Sequence, residues 1–291
     1  MKYVFVDDSA QLIGGTSLTL QALTEPRSEE VLQIPTNNLS MMDILSNLDK
    51  TWVFGNIHSI SKESYQNIIY ALSVTRFFKI EFDYGYCIYR GRIPHLEFTG
   101  KNCDCHINTT PYTEIYDLIK LRSIANFYMS KEQMDFHIED LSIDINKCHI
   151  LSSCFIEKFY DNLENLSQRP KNNKYAIVDG QGGWHTKAKG IPNAIEFAKS
   201  NSIEYDLISS KTHEELMDKL STYKGLIFLP IIHDTCPRLV IEAKLLGLDL
   251  KINKFCQHIT EDWWSKNTDD IISYLRSRPK FLWDKIDELA D

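Results

Sequence analysis

Short, uninterrupted apolar runs alternate with segments of helical period along this chain, and that alternation restricts its fold more than any other feature. Residues 2–6 (KYVFV), 51–56 (TWVFGN), 77–84 (FFKIEFDY), 126–129, 175–180, 203–209, 225–230 and 248–253 read as strands. Between them, Leu18–Leu23, Tyr65–Leu72, Pro192–Lys199, residues 213–223 and 238–247, and a last stretch from about Asp269 carry helical spacing. Ser130, followed by Glu132 and Gln133, reads as a helix N-cap, and residues 148–155 as a less clear last strand of the first half. Strands that lack polar alternation are covered on both faces. Strand, helix and strand at this spacing build parallel sheets from right-handed crossovers. The expected fold class is α/β.

Residues 167–174 (SQRPKNNK) are polar, contain Pro and carry no large apolar side chain, so they are the best linker candidate. They separate residues 1–166 from 175–291, and each half repeats the strand–helix series, with the last helix, ending at 278–290, a candidate to cross back onto the first half. A chain of 291 residues is long for one core and comfortable for two. The expectation is two Rossmann-like domains with parallel sheets facing a cleft.

The formal charge is −8, from 32 basic and 40 acidic residues, so there is no global basic field for nucleic acid or anionic lipid. Phosphate recognition must rest on a few placed cations. Seven Cys, an odd number without a secretory leader in MKYVFVDDSA, argue for a reducing compartment. No run approaches the roughly 18 apolar residues of a membrane span. A cytoplasmic location is expected, with peripheral membrane attachment left open.

The segment KGLIFLPIIHDTCPRLVIEAKLLG (224–247) concentrates the chemistry. A strand ends at Pro230, a loop carries Asp234, and a helix begins near Pro237, where a missing N–H costs nothing. The next N–H groups point into the loop and suit a phosphate. An acid, seven residues, then Glu242-Ala243 and a later Gly resembles the retaining GT-B glycosyltransferases, with Asp234 in place of the more usual first Glu. That resemblance implies a nucleotide-sugar donor. Glu242 would hold the ribose hydroxyls, Asp234 the sugar hydroxyls, and Thr235, Cys236 and Arg238 the diphosphate end. It implies transfer to a hydroxyl on a glycan, lipid-linked or protein acceptor, with retention, from a UDP-, GDP- or ADP-sugar, and without a catalytic metal.

Two glycine turns join this set. VDGQGGWHTKAKG (178–190) supplies Lys187 and Lys189, and Lys189-Gly190 matches the family's Lys-Gly step, a cation for the departing diphosphate. The family's preceding Arg has no counterpart; Gln181, His185 or Lys187 stand nearest. Gly14-Gly15-Thr16 follows the first strand, after Asp7 and Asp8, and permits close approach of a diphosphate or acceptor.

Glu81 and Asp83 end an apolar strand, where α/β folds collect functional side chains, and a period of two puts both on one face. Either is a candidate catalytic acid. Downstream, Cys87, His95, Cys103 and Cys105 offer three thiolates and an imidazole to a structural zinc within an irregular stretch, Tyr86 to Pro111. Free buried thiols are the alternative. Arg90 and Arg92 could reach an anionic acceptor, and His258 reads as a loop residue. Two other functions stay open: a sugar-nucleotide epimerase or phosphorylase using the same cleft, and a non-catalytic binding protein.

Overall fold

In the computed structural model, residues 1–8, 14–57, 60–107, 110, 112–179, 182–235 and 237–290 are described, without the side chains of 184 and 185. The chain divides into two units, Met1–Phe155 with Leu275–Asp291, and Ile156–Tyr274. Among the described residues no helix is long and apolar enough to cross a membrane.

The first unit runs β1 (Tyr3–Asp7), α1 (Gly15–Thr24), β2 (Val31–Pro35), α2 (Met41–Leu45), β3 (Thr51–Phe54) and α3 (Lys62–Val74). It continues through β4 (Arg76–Glu81), α4 (Arg92–Thr99), α5 (Thr113–Arg122), β5 (Asn126–Tyr128), α6 (Lys131–Leu141) and β6 (Cys148–Ile150). Its sheet has six parallel strands in the order β2-β1-β3-β4-β5-β6. The chain steps from β1 to β2, then returns to the other side of β1 with β3. This reversal opens a crevice beyond the C-terminal ends of β1 and β3. β1 and β3 are buried on both faces, as their uninterrupted apolar sequence requires.

The second unit runs α7 (Glu157–Ser167), β7 (Tyr175–Val178), α8 (Gly183–Ala188), α9 (Ile191–Ser200), β8 (Tyr205–Ile208) and α10 (His213–Leu220). β9 (Gly225–Phe228), α11 (Arg238–Leu245), β10 (Asp249–Ile252) and α12 (Thr268–Ala290) follow. Four parallel strands lie in the order β10-β9-β7-β8, so here the reversal falls between β7 and β9.

Three sequence expectations need correction. The stretch from Tyr86 to Pro111 is not irregular throughout, because Arg92–Thr99 is helical and closes on the left-handed Gly100. The strand expected over 77–84 ends at Glu81, and there the Gln133 side-chain amide donates to the carbonyls of Glu81 (3.0 Å) and Asp83 (2.8 Å). The polar run 167–174 joins α7 to β7 inside the second unit, whereas the units divide between Phe155 and Ile156. Strand β2 went unread because it lies at the sheet edge, half-buried, with Gln33 and a terminal Pro35 breaking the apolar run.

From Leu275 onward α12 belongs to the first unit. Arg278 donates to the carbonyls of Leu151 (2.9 Å) and Ile150 (2.6 Å), and the Trp283 indole donates to that of Leu23 (2.7 Å). Asp287 accepts from Tyr3, from Arg27 (2.6 Å) and from Lys2 (3.1 Å). Burial alone would raise its pKa, but these three donors hold it down at about 2. A depressed carboxyl gives stability that is complete above about pH 4 and is lost as the pH falls toward the folded value. Asp287→Asn should therefore lower the melting temperature at neutral pH. It should also flatten the fall in stability between about pH 4 and pH 2, read by acid unfolding followed by circular dichroism.

Candidate active site

In the second unit the site grows from the chain reversal between β7 and β9. Beyond β7, Gly182 and Gly183 take positive φ, and Thr186 donates through its hydroxyl to Asp179 at 2.8 Å, which ties the turn to the start of α8. The chain then reaches Lys189 and Gly190. Gly190 has φ 71°, and a Cβ there would lie 1.7 Å from the Leu229 carbonyl oxygen just beyond β9. The Ile231 N–H donates to the Ala188 carbonyl at 3.1 Å, so the two loops are locked together. Gly190→Ala should cost about 3 kcal/mol or more, since left-handed strain and a clash with backbone act together. Denaturant unfolding measures this; a loss under about 1 kcal/mol would mean the loops part easily.

This lock delivers Lys189 to Asp234. The ammonium donates to Asp234 Oδ2 at 2.6 Å. Asp234 is 8% exposed, whereas the Lys189 side chain is 47% exposed, so the pair is open to solvent on the lysine side. Backbone bonds hold Asp234 firmly: its N–H donates to Phe255, its carbonyl accepts from Gln257, and it bridges in parallel to Cys256. Asn253 donates to the Pro230 carbonyl at 2.8 Å and supports the same loop from the end of β10.

Helix α11 starts at Arg238, capped by Pro237, and ends on the left-handed Gly247, whose N–H bonds the Lys244 carbonyl. Its buried side includes two charged residues, Arg238 and Glu242, one turn apart with 3.6 Å between guanidinium and carboxylate. His213, at the first position of α10, donates to Glu242 at 2.8 Å. Burial alone would raise the Glu242 pKa, but the His213 hydrogen bond and the charges of His213 and Arg238 hold it below the ordinary value. The result is a nearly inaccessible, ionised carboxylate whose partners among the described residues, His213 and Arg238, both stand at helix starts.

Of the residues singled out from sequence, the structure thus joins Lys189 with Asp234, and Arg238 with Glu242. Thr235 is buried beside Asp234, and Lys187 is exposed. Cys236 and Gln181 lie outside the described residues, as does the His185 side chain.

In the first unit, Gly14 caps α1, with Ser17 bonded to its N–H and carbonyl. A Cβ at Gly14 would meet nothing within 4 Å and its φ of 169° suits any residue, so the fold itself does not demand glycine there. Gly15 and Thr16 follow as the first residues of α1. Asp7, at the end of β1, accepts from the Asn56 N–H at 2.7 Å, and a Cβ at Gly55 would strike its carboxylate at 2.0 Å. Glu81 is buried, with Lys79 at 3.1 Å and the Tyr116 hydroxyl donating at 3.0 Å. Lys79 also donates to the carbonyls of Gly55 and Ile80. Asp83 lies beyond the strand and pairs with Arg90, so the period of two does not relate it to Glu81.

Two participants had escaped notice in the sequence. His213 is the nearest partner of Glu242; its one signal is its place directly after Thr212, which caps α10 on the Glu215 N–H. His137 is fully buried, donates from Nδ1 to the Gln133 carbonyl at 2.9 Å and stacks on Tyr84. Burial holds its pKa below the ordinary value, while Glu81 pulls the other way. The helical spacing Gln133–His137 was there to be read, though nothing marked it as buried.

Two parallel sheets, each with its reversal and flanking helices, have counterparts among solved structures. HepE of Anabaena, solved in complex with UDP, matches over 97% of this chain and 91% of its own at 9% identity, with a TM-score of 0.58. The fold is GT-B. An α-glucosyltransferase solved with UDP and a 13-mer DNA containing a HMU base shares this GT-B arrangement over 99% and 90% of the two chains, at 9% identity and a TM-score of 0.53. WaaG, a glycosyltransferase involved in lipopolysaccharide biosynthesis, does so over 96% and 90%, at 10% identity and a TM-score of 0.52. No family sequence model and no curated protein sequence matches the chain.

Proposed function

We propose that this protein transfers a sugar from a nucleoside-diphosphate donor to a hydroxyl acceptor, and that the second unit, Ile156–Tyr274, binds the donor while the first unit serves the acceptor. The observation that carries the reading is the pairing of a half-exposed Lys189 with Asp234 at the β7/β9 reversal, one loop ahead of the buried carboxylate of Glu242. A crevice at a strand reversal is where α/β sheets hold nucleotides. HepE and the α-glucosyltransferase, which share the fold, are solved with UDP, so UDP-sugars are the first donors to test.

On this reading Glu242 accepts from the ribose hydroxyls, Asp234 from hydroxyls of the sugar, and the start of α11 with Thr235, Cys236 and Arg238 meets the diphosphate. Lys189, with Lys187 beside it, lends positive charge as the bond between sugar and diphosphate breaks. Asp234 neutralises Lys189; a diphosphate brings a second anion to the same ammonium. Gly14, Gly15 and Thr16 allow close approach on the acceptor side, where Glu81 and Asp83 are the candidate acids. Retention of configuration follows from the family resemblance.

Thermal unfolding with UDP-, GDP-, ADP- and CMP-sugars tests the reading. A ligand that binds only the folded state at 100 times its Kd stabilises by about 2.7 kcal/mol. One nucleotide class should shift the melting temperature by several degrees. No shift with any of the four at millimolar concentration would reject nucleotide-sugar binding.

A further inference from the structure

The loop after β4 holds a group of side chains that sugar transfer does not use. Cys87, His95, Cys103 and Cys105 present three sulfurs and one imidazole nitrogen, all within 4.8 Å of one another. His95 Nδ1 lies 3.6 Å from Cys87 Sγ and 3.4 Å from Cys105 Sγ. A tetrahedral zinc with Zn–S near 2.3 Å and Zn–N near 2.05 Å separates sulfur from nitrogen by about 3.5 Å and two sulfurs by about 3.8 Å. The observed spacings already meet the first value. Among the described cysteines all are free thiols, so no disulfide accounts for the convergence.

We propose that these four residues form a structural zinc site of the Cys3His type. Three separate pieces of chain supply it: the turn ending at Cys87, the first turn of α4 at His95, and the turn at Cys103–Cys105. Cys87, His95 and Cys105 are buried and Cys103 is half-buried. Such a set suits a closed structural site, whereas a catalytic zinc keeps a position for water. Surrounding contacts also fit. Asp104 approaches the other His95 nitrogen, Nε2, at 3.8 Å, within easy adjustment of the carboxylate–histidine–metal arrangement that orients metal-bound imidazoles. The Tyr89 ring meets the imidazole edge-on, with centroids 5.2 Å apart. Three thiolates and an imidazole favour zinc over magnesium, calcium or manganese, which prefer oxygen.

The zinc would staple a stretch with one short helix of its own to the end of β4. That stretch carries Arg90, which holds a positive φ and pairs with Asp83, and Arg92, which pairs with Glu139 and Asp140 and lies over the Phe136 ring. The metal therefore fixes the setting of Asp83 without touching it.

The full-length protein, purified under reducing conditions without chelator and reconstituted with zinc, should contain about one zinc per chain by elemental analysis. Cobalt in its place should give the thiolate charge-transfer and intense visible bands of tetrahedral sulfur coordination. Cys103→Ser and Cys105→Ser should lose the metal, while Cys148→Ser keeps it. Chelation of the unaltered protein should make three more thiols reactive and raise hydrogen exchange over residues 84–107, leaving residues 175–250 protected. Exchange and metal content keep the test valid if a variant fails to fold. Zinc absent after reconstitution, zinc retained when Cys103 and Cys105 are both replaced, or iron as the bound metal would each overturn the proposal.

Discussion

Replacing Glu242 with glutamine is expected to raise the donor KM by about 10–100-fold with little change in kcat, because a charge-assisted hydrogen bond of about 1.5–3 kcal/mol is lost. Glutamine keeps the length and one acceptor oxygen but brings no charge to the ribose hydroxyls. Alanine should weaken binding further, yet it is the poorer test. Removing one partner of a buried ion pair costs about 3–5 kcal/mol in folding, since the other charge stays behind; here Arg238 and His213 would be left against an empty place. The glutamine variant separates the two effects, provided its melting temperature is measured beside its kinetics. The pH profile offers a further check. His213 and Arg238 hold the Glu242 pKa below the ordinary carboxylate range. Its charge therefore persists to lower pH than that of an ordinary carboxylate. Donor binding should then show no carboxylate titration near neutrality. An unchanged KM in a folded glutamine variant would remove Glu242 from ribose recognition, whatever else the site does.

How much of this was open to reading depends on which forces leave a trace in sequence. Buried parallel strands did so plainly: YVFVD and GLIF must be covered on both faces, and both are central strands. The α11 segment was also legible, since Pro237 and Gly247 bracket it with the backbone geometry that helix ends prefer. Edge and surface elements were harder. β2 and α7 have half-polar sequences whose burial depends on partners far along the chain. Lys79 and Glu81 show the opposite case. Two opposite charges two residues apart in an apolar strand do mark one face, but only the structure reveals that the Gly55 carbonyl and Tyr116 complete their environment. The pairing of His213 with Glu242 spans 29 residues and two helices and leaves no local pattern. By contrast, the four candidate ligands from Cys87 to Cys105 were visible as spacing, and the fold brings their donor atoms together.

Lys189 is where the largest loss of turnover is expected. If its ammonium meets the charge that develops on the departing diphosphate, Lys189→Met should lower kcat by about 100–1,000-fold, the usual cost of losing one preorganised donor at a developing oxyanion. The donor KM should rise far less, because ground-state diphosphate keeps the amides at the start of α11. Stability should hardly move from loss of the ion pair as such. The lysine side chain is 47% exposed, and pairs open to water contribute about 0–1 kcal/mol. Asp234 does lose a neighbour, but its backbone remains tied to Phe255 and Gln257. Lys189→Arg distinguishes charge from shape. It restores a cation on a longer, planar group, and should recover part of kcat while leaving the melting temperature where methionine leaves it. A purely structural lysine would give a different picture: methionine would lower the melting temperature, and kcat per folded molecule would stay within a few-fold of the unaltered enzyme. Single-turnover measurements with saturating donor decide between them, since they isolate the bond-breaking step from product release. A methionine variant that turns over at near-normal rate would move the stabilising charge to another group, with Arg238 the next candidate, at the start of α11.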